Sequence, residues 1–117
     1  MKVMNYKDAE LKAEKAAKGA GIRWLLSERD GETGMAMRVI EIEAGGQTPD
    51  HAHPWEHQVF MLKGEGRVIV EGETEAIAPG SAIFVAPGEN HTFHNDSGET
   101  MEFVCMIPVS AIKAYEH

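Results

Sequence analysis

The spacing of apolar runs leaves this chain few folds to choose from. From residue 22 onward, short apolar or alternating stretches follow one another: "IRWLLSE" (22–28), "MAMRVIEIE" (35–43), "HQVFMLK" (57–63), "GRVIVEG" (66–72), "TEAIA" (74–78), "SAIFVA" (81–86), "HTFHN" (91–95) and "TMEFVCMIPV" (100–109). Turn signals stand between them: "RDGETG" at 29–34, "AGG" at 44–46, "PG" at 79–80, "PGEN" at 87–90 and "NDSGE" at 95–99. Strand-length runs at this spacing, punctuated by Gly, Pro and Asn, predict an all-β sandwich or barrel. A chain of 117 residues can bury one core without disulfide staples, so residues 1–117 read as a single domain. The exception to the strand pattern is "DAELKAEKAAK" (8–18), within an N-terminal arm covering 1–21. By propensity it is a short helix, with Asp8 as cap and Gly19 and Gly21 as stops. An unstructured arm is the competing reading.

Charge narrows the partners. The net charge is −8, the wrong sign for nucleic acid or an anionic membrane surface, and residues such as Lys63 and Arg67 form no basic stripe. No apolar run approaches the roughly 18 residues of a membrane span. "MKVMNYKDAE" lacks the apolar core of a secretory signal, and one cysteine allows no internal disulfide. A cytoplasmic location is the resulting expectation.

The stretch "HAHPWEHQVF" (51–60) concentrates possible metal ligands. Side chains in a strand alternate faces with period two. His51, His53 and His57 share parity, whereas Glu56 and Gln58 take the other face. Pro54 bends the path, and Val59 and Met61 continue the odd face beyond it. A helical turn starting at Pro54 would also put His53 and His57 on one side, four apart. It would have to end within a few residues, because "VFML" runs into "KGEG". Neutral imidazoles suit Zn, Cu, Fe and Ni, and Mn where open positions take oxygen. A further donor is available from "PGENHTFHN" (87–95). His91 and His94 differ by three, so at most one of them joins the set. His94 and His117 otherwise read as ordinary surface residues.

At these residues the chain resembles the cupin family. The first family motif, G-x5-H-x-H-x3,4-E-x6-G, is matched by Gly45, His51, His53, His57 and Gly64, with His57 at the glutamate position. The second, G-x5-P-x-G-x2-H-x3-N, is matched by Gly80, Pro87, Gly88, His91 and Asn95, with one extra residue before the proline. The H-x3-N ending selects His91 over His94. The resemblance covers about residues 35–108 and implies a jelly-roll β-barrel with the metal inside. It implies His51, His53, His57 and His91 as ligands of one divalent transition metal, with Mn or Fe favoured and Ni, Cu or Zn as alternatives. Small cupins commonly form homodimers. A homodimer would also cover the outer faces of strands that are apolar on both sides, such as Phe60 and Leu62 opposite Val59 and Met61. The N-terminal segment is the other possible cover.

Other side chains are candidates for the cavity. Phe93 lies on the face of His91. In the last strand Glu102, Val104 and Met106 share one face and Met101, Phe103, Cys105 and Ile107 the other, so the odd face should look inward. Cys105 then sits either near the metal or simply as a small buried hydrophobe. Trp24 and Trp55 are possible pocket walls or interface anchors, Trp55 being placed for a pocket rim. Arg38, in phase with Ile40 and Ile42, points either inward or along the surface.

Four neutral ligands would leave the charge of a divalent ion uncompensated, which suits a Lewis-acid or oxygen-activating centre. Binding should weaken as pH falls through about 6.5, the ordinary imidazole pKa. The favoured expectation is a metal-dependent oxygenase or oxidase acting on a small organic molecule. The alternatives are a non-redox metal enzyme such as an isomerase or lyase, and a small-ligand binding or sensing module. One fold hosts all three.

Overall fold

The longest strand organises the molecule. In the computed structural model, which describes residues 1–31 and 34–114, β3 (Met35–Gln47) runs thirteen residues. Part of "RDGETG", and His117, lie outside the described residues. The even residues Ala36, Arg38, Ile40 and Ile42 are all buried on β3, as period two requires of a strand whose one face looks into a core. β3 pairs antiparallel with β2 (Lys18–Leu26) on one side and with β9 (Met101–Pro108) on the other.

The remaining strands are β1 (Leu11–Ala13), β4 (His57–Lys63), β5 (Gly66–Val70), β6 (Glu73–Ile77), β7 (Ala82–Val85) and β8 (His91–Asn95). They form one curled antiparallel sheet in the order β6-β5-β8-β3-β9-β4-β7, with β1 and β2 added beside β3. Curling joins the ends of the motif region: Gln47 at the end of β3 pairs with His94 of β8. The core is the inner face of this curl, where Ile22, Ile40, Ile42, Val59, Met61, Phe93, Phe103 and Ile107 are buried together. In β9 burial alternates residue by residue, with Met101, Phe103, Cys105 and Ile107 inside, as the charge on Glu102 predicts.

Two glycines, Gly64 at the end of the first motif and Gly66 at the start of β5, are required by close approach. Gly64 has φ +87°, and a Cβ there would meet the Met101 backbone at 2.9 Å. At Gly66 a Cβ would lie 2.0 Å from the His94 carbonyl oxygen, so only glycine lets β5 close on β8. Asn95, the last motif residue, is buried and acts as a knot. Its Nδ2 donates to the carbonyls of Ile42 (2.9 Å) and Glu99 (2.7 Å), and its Oδ1 accepts from the amide and hydroxyl of Ser97.

The N-terminal arm departs from expectation. Residues 8–18 are not an α-helix: a 3-10 turn spans Tyr6–Asp8, β1 follows, and β2 begins at Lys18, within the predicted arm. Leu11, Lys12 and Ala13 pair with Arg23, Ile22 and Gly21. Alanine and lysine are good helix formers, but propensity is worth only tenths of a kcal/mol per residue, and sheet pairing overrides it. The residues read as mid-helix make the β1–β2 turn, where Glu14 Oε1 accepts from the Ala16 amide at 3.3 Å. The core also begins earlier than residue 35, since Ala20 and Ile22 belong to it, and it ends at Ile112 in a 3-10 segment, Val109–Ala114.

Candidate metal centre

Three elements bring the motif histidines together. His57 opens β4, His91 opens β8, and His51 and His53 lie on the extended segment that precedes Pro54. That segment is laced onto β8. The Thr48 amide donates to the Phe93 carbonyl (3.0 Å), its hydroxyl accepts from the Phe93 amide (2.8 Å), and its carbonyl accepts from the Thr92 hydroxyl (2.8 Å). His51 and His91 then form a β-bridge. The "PGEN" turn serves the site: the Gly88 amide donates to the His53 carbonyl at 2.7 Å, and the Glu89 carboxylate closes the turn by accepting from the Ala86 amide.

His53, His57 and His91 each offer a ring nitrogen within 4.8 Å of the others. His57 and His91 are buried and His53 is half-buried. Of the expected four-histidine set three form the tight group, and His51 is outside it. Its ring lies beside it, 4.5 Å from that of His53 and 6.3 Å from that of His91, and it lines the same cavity. The physical reason is that the His51 backbone is tied into the bridge to β8, while its ring meets His53 edge-on.

These groups fit a divalent cation. Burial disfavours the imidazolium form, so His53 is pushed down to about 4 and His57 to about 3. Neighbouring histidines and the Arg38 charge push the same way. His91 is also lowered by burial, against the bond in which its Nδ1 faces the Glu89 carbonyl at 3.0 Å. A carbonyl partner makes Nδ1 the protonated nitrogen and leaves Nε2 as the donor, the arrangement usual for metal-binding histidine. His57 Nδ1 is buried with no hydrogen-bond partner among the described residues, and coordination is one way to satisfy such an atom. Glu56, as its parity predicts, stays out: its carboxylate accepts from Gln58 Nε2 at 3.2 Å at the surface.

The histidines form one wall of a half-open cavity of about 70 Å³, whose other walls include Ile22, Ile40, Phe93 and Phe103. Phe93 and Phe103 stack with centroids 4.7 Å apart. Cys105 and Arg38 both line it. Arg38 is 3 % exposed, so it points inward, and its Nη2 donates to Cys105 Sγ at 3.1 Å. Trp24 backs the guanidinium, 5.3 Å from ring centroid to Cζ. Trp55, the expected rim residue, is not among the cavity-lining residues and stacks on the His53 ring at 4.6 Å and 11°. Sequence reasoning missed Glu14 and Thr48, which reach the cavity from a turn and from the laced segment. No periodic pattern marks either of them.

Known proteins agree with this architecture. The cupin domain model matches residues 38–107. The structure of the polyketide cyclase RemF from Streptomyces resistomycificus superposes with a TM-score of 0.86 at 32 % identity, covering 93 % of this chain and 80 % of that one. L-ectoine synthase from Vibrio campbellii is 26 % identical over 81 % of this chain and 75 % of its own. A predicted oxalate decarboxylase from Thermotoga maritima shares the fold, with a TM-score of 0.81 at 22 % identity over 92 % of this chain and 98 % of that one. With the barrel, both motifs and the family model in agreement, this chain belongs to the cupin domain family.

Proposed function

We propose that the protein is a metal-dependent enzyme for a small carbonyl compound, binding one divalent transition metal through His53, His57 and His91 with His51 as fourth donor. The observation that carries this reading is the convergence of three imidazoles held neutral by burial at the wall of an apolar cavity. A divalent ion bound there would supply Lewis acidity, polarising a carbonyl oxygen and easing loss of the neighbouring proton. Ile22, Ile40, Phe93 and Phe103 exclude water from the reacting atoms. Thr48, on the segment bonded to β8, narrows the cavity beside the histidines.

Non-redox chemistry is preferred here over the oxygenase expected from the donor set alone. Two relatives above 25 % identity are a polyketide cyclase and a synthase, and neither name is that of an oxidoreductase. An all-imidazole set also suits zinc, which has no redox chemistry, as well as iron or manganese. The test is proton exchange α to the carbonyl of acetylacetone in D2O without oxygen, after metal analysis of the protein as purified. Exchange by zinc-loaded protein supports the proposal. Oxygen uptake that requires iron or manganese, with no anaerobic exchange, would transfer the reading to an oxygenase. Failure of the protein to hold any stoichiometric metal would remove both.

A further inference from the structure

Glu14 borders three spaces at once. It is the one carboxylate among the described residues lining the histidine cavity. It also lines two clefts on the outside, one toward Trp24 and Ala114 and one toward Leu11 and Thr100. No other described residue is shared by all three. The turn between β1 and β2 fixes this placement. The Glu14 amide donates to the Ala20 carbonyl at 2.9 Å, and the Glu14 carbonyl accepts from the Ala17 amide at 3.2 Å. Ala20 and Gly21, just beyond the turn, line the same cavity. Gly21 lets β1 lie this close, because a Cβ there would meet Leu11 Cδ1 at 2.8 Å.

Loss of a proton next to a carbonyl needs a group to accept it, and the cavity offers few. Histidine nitrogens that face an ion have their lone pairs in coordination. The Thr48 hydroxyl is neutral and already accepts from the Phe93 amide. Cys105 is buried, and its Sγ accepts from Arg38. Glu14 Oε1 accepts from the Ala16 amide at 3.3 Å, whereas a carboxylate has about four acceptor sites, so that bond leaves it able to take a proton. Resting on the metal-site reading above, we propose that Glu14 is the base of the site. Its carboxylate takes the proton α to the substrate carbonyl. The Cα–H bond breaks, its electron pair forms the C=C bond of the enolate, and the carbonyl oxygen gains the negative charge at the histidine wall. The new O–H on Glu14 then gives its proton to water in the outer clefts, which restores the carboxylate. A cavity of about 70 Å³ admits a head group of a few heavy atoms, so a carbonyl group at the histidines also meets the wall that carries Glu14.

The test uses acetylacetone as probe. Zinc-loaded parent, Glu14→Gln, Glu14→Asp and Glu14→Ala are assayed for α-proton exchange above the spontaneous rate in D2O, and zinc content is measured for each. The side-chain carboxyl carbons of glutamate are labelled and followed by NMR in zinc-loaded and metal-free parent. The expected result is a fall in kcat of between about a hundredfold and ten-thousandfold in Glu14→Gln, with KM changed by less than about threefold and zinc content as in the parent. Glu14→Asp should retain part of the rate. Added formate should restore part of it to Glu14→Ala, because a small carboxylate fits the space left by the side chain; a merely structural role would not respond to formate. Acetylacetone should also move the Glu14 carboxyl signal with or without zinc. Parental exchange in a folded Glu14→Gln variant would overturn the proposal and leave the metal-site reading standing. So would a loss of exchange in Glu14→Ala that formate does not reverse. If neither variant folds, the parent's carboxyl signal decides, and a signal unmoved by acetylacetone overturns the role of Glu14. A parent that holds zinc and exchanges nothing defeats the proposed function and this base with it. A parent that holds no zinc defeats the metal site alone, and the metal-free titration still reports whether the probe reaches Glu14.

Discussion

His51 and His91 face each other across a β-bridge in which each amide donates to the other's carbonyl, at 3.3 and 3.2 Å. The bridge joins the first histidine motif to the second and uses only backbone atoms. Alanine at position 51 therefore removes the ring and spares the scaffold. His51→Ala should lower zinc affinity by at least about tenfold while leaving the stability of metal-free protein within about 0.5 kcal/mol. Isothermal titration calorimetry and urea unfolding check the two halves. Unchanged zinc affinity would make the site a three-histidine one.

The contrast between neighbours at 56 and 57 tests strand register. His57 opens β4 facing the cavity, whereas Glu56 bonds Gln58 at the surface. His57→Ala should lose most of the metal, and Glu56→Gln should retain it within about a factor of two. Elemental analysis of both purified variants is the measurement, and the reverse pattern would show that the register is wrong.

Acid should act on folding and on metal binding in different windows. His53 and His57 have pKa values of about 4 and about 3 in the folded protein, against an ordinary 6.5. Between those values the unfolded chain binds protons that the folded chain refuses, so stability falls as pH drops. The full contribution is present above about 6.5 and is lost progressively down to about 3. The urea midpoint of metal-free protein should therefore be lower at pH 5 than at pH 7.5. Proton competition for the metal at these two ligands begins only near pH 4 to 5, below the 6.5 expected of unburied imidazole, so zinc should stay bound at pH 5.5 in equilibrium dialysis.

Asn95 ends the second motif as scaffold, not as ligand. Asn95→Ala removes four hydrogen bonds, leaving the Glu99 carbonyl only its bond from the Ser97 hydroxyl, at a cost of roughly 3 kcal/mol. Thermal unfolding of the metal-free form should register that loss.

The outer face of β4 and β7 carries the largest exposed apolar side chains of the barrel, Phe60, Leu62 and Phe84, the last 60 % exposed. The N-terminal segment covers a different region, where Tyr6 donates to Glu102 at 2.6 Å. Self-association through the Phe84 face is expected, and Phe84→Glu should convert a dimer into a monomer in sedimentation equilibrium. A parent protein that is monomeric at about 100 μM would end that expectation.

How legible all this was depends on the kind of interaction. The strands whose inward faces alternate were readable, because burial imposes period two on β3, β4 and β9 and leaves Arg38 and Cys105 on the inner face. The helix drawn over 8–18 failed because three paired residues of β1 outweigh a preference worth tenths of a kcal/mol per residue. The spacing of His51 puts it in phase with His53 and His57, yet spacing says nothing about how far a ring reaches once its backbone is tied to β8. Glu14 joins the cavity only through the β1–β2 turn, a contact between distant parts of the chain that no local pattern records.

The lacing of residues 48–51 onto β8 also sets an order of events. His51 and His91 are far apart in the chain, and contacts of such separation form late because loop closure must be met first. A nascent or partly folded chain therefore displays only half-sites, such as His51 with His53, which hold a cation weakly. On the proposed metal site, tight capture would wait until the barrel has shut, so that metal loading would be a certificate of completed folding, and a protein kept from closing would be released empty.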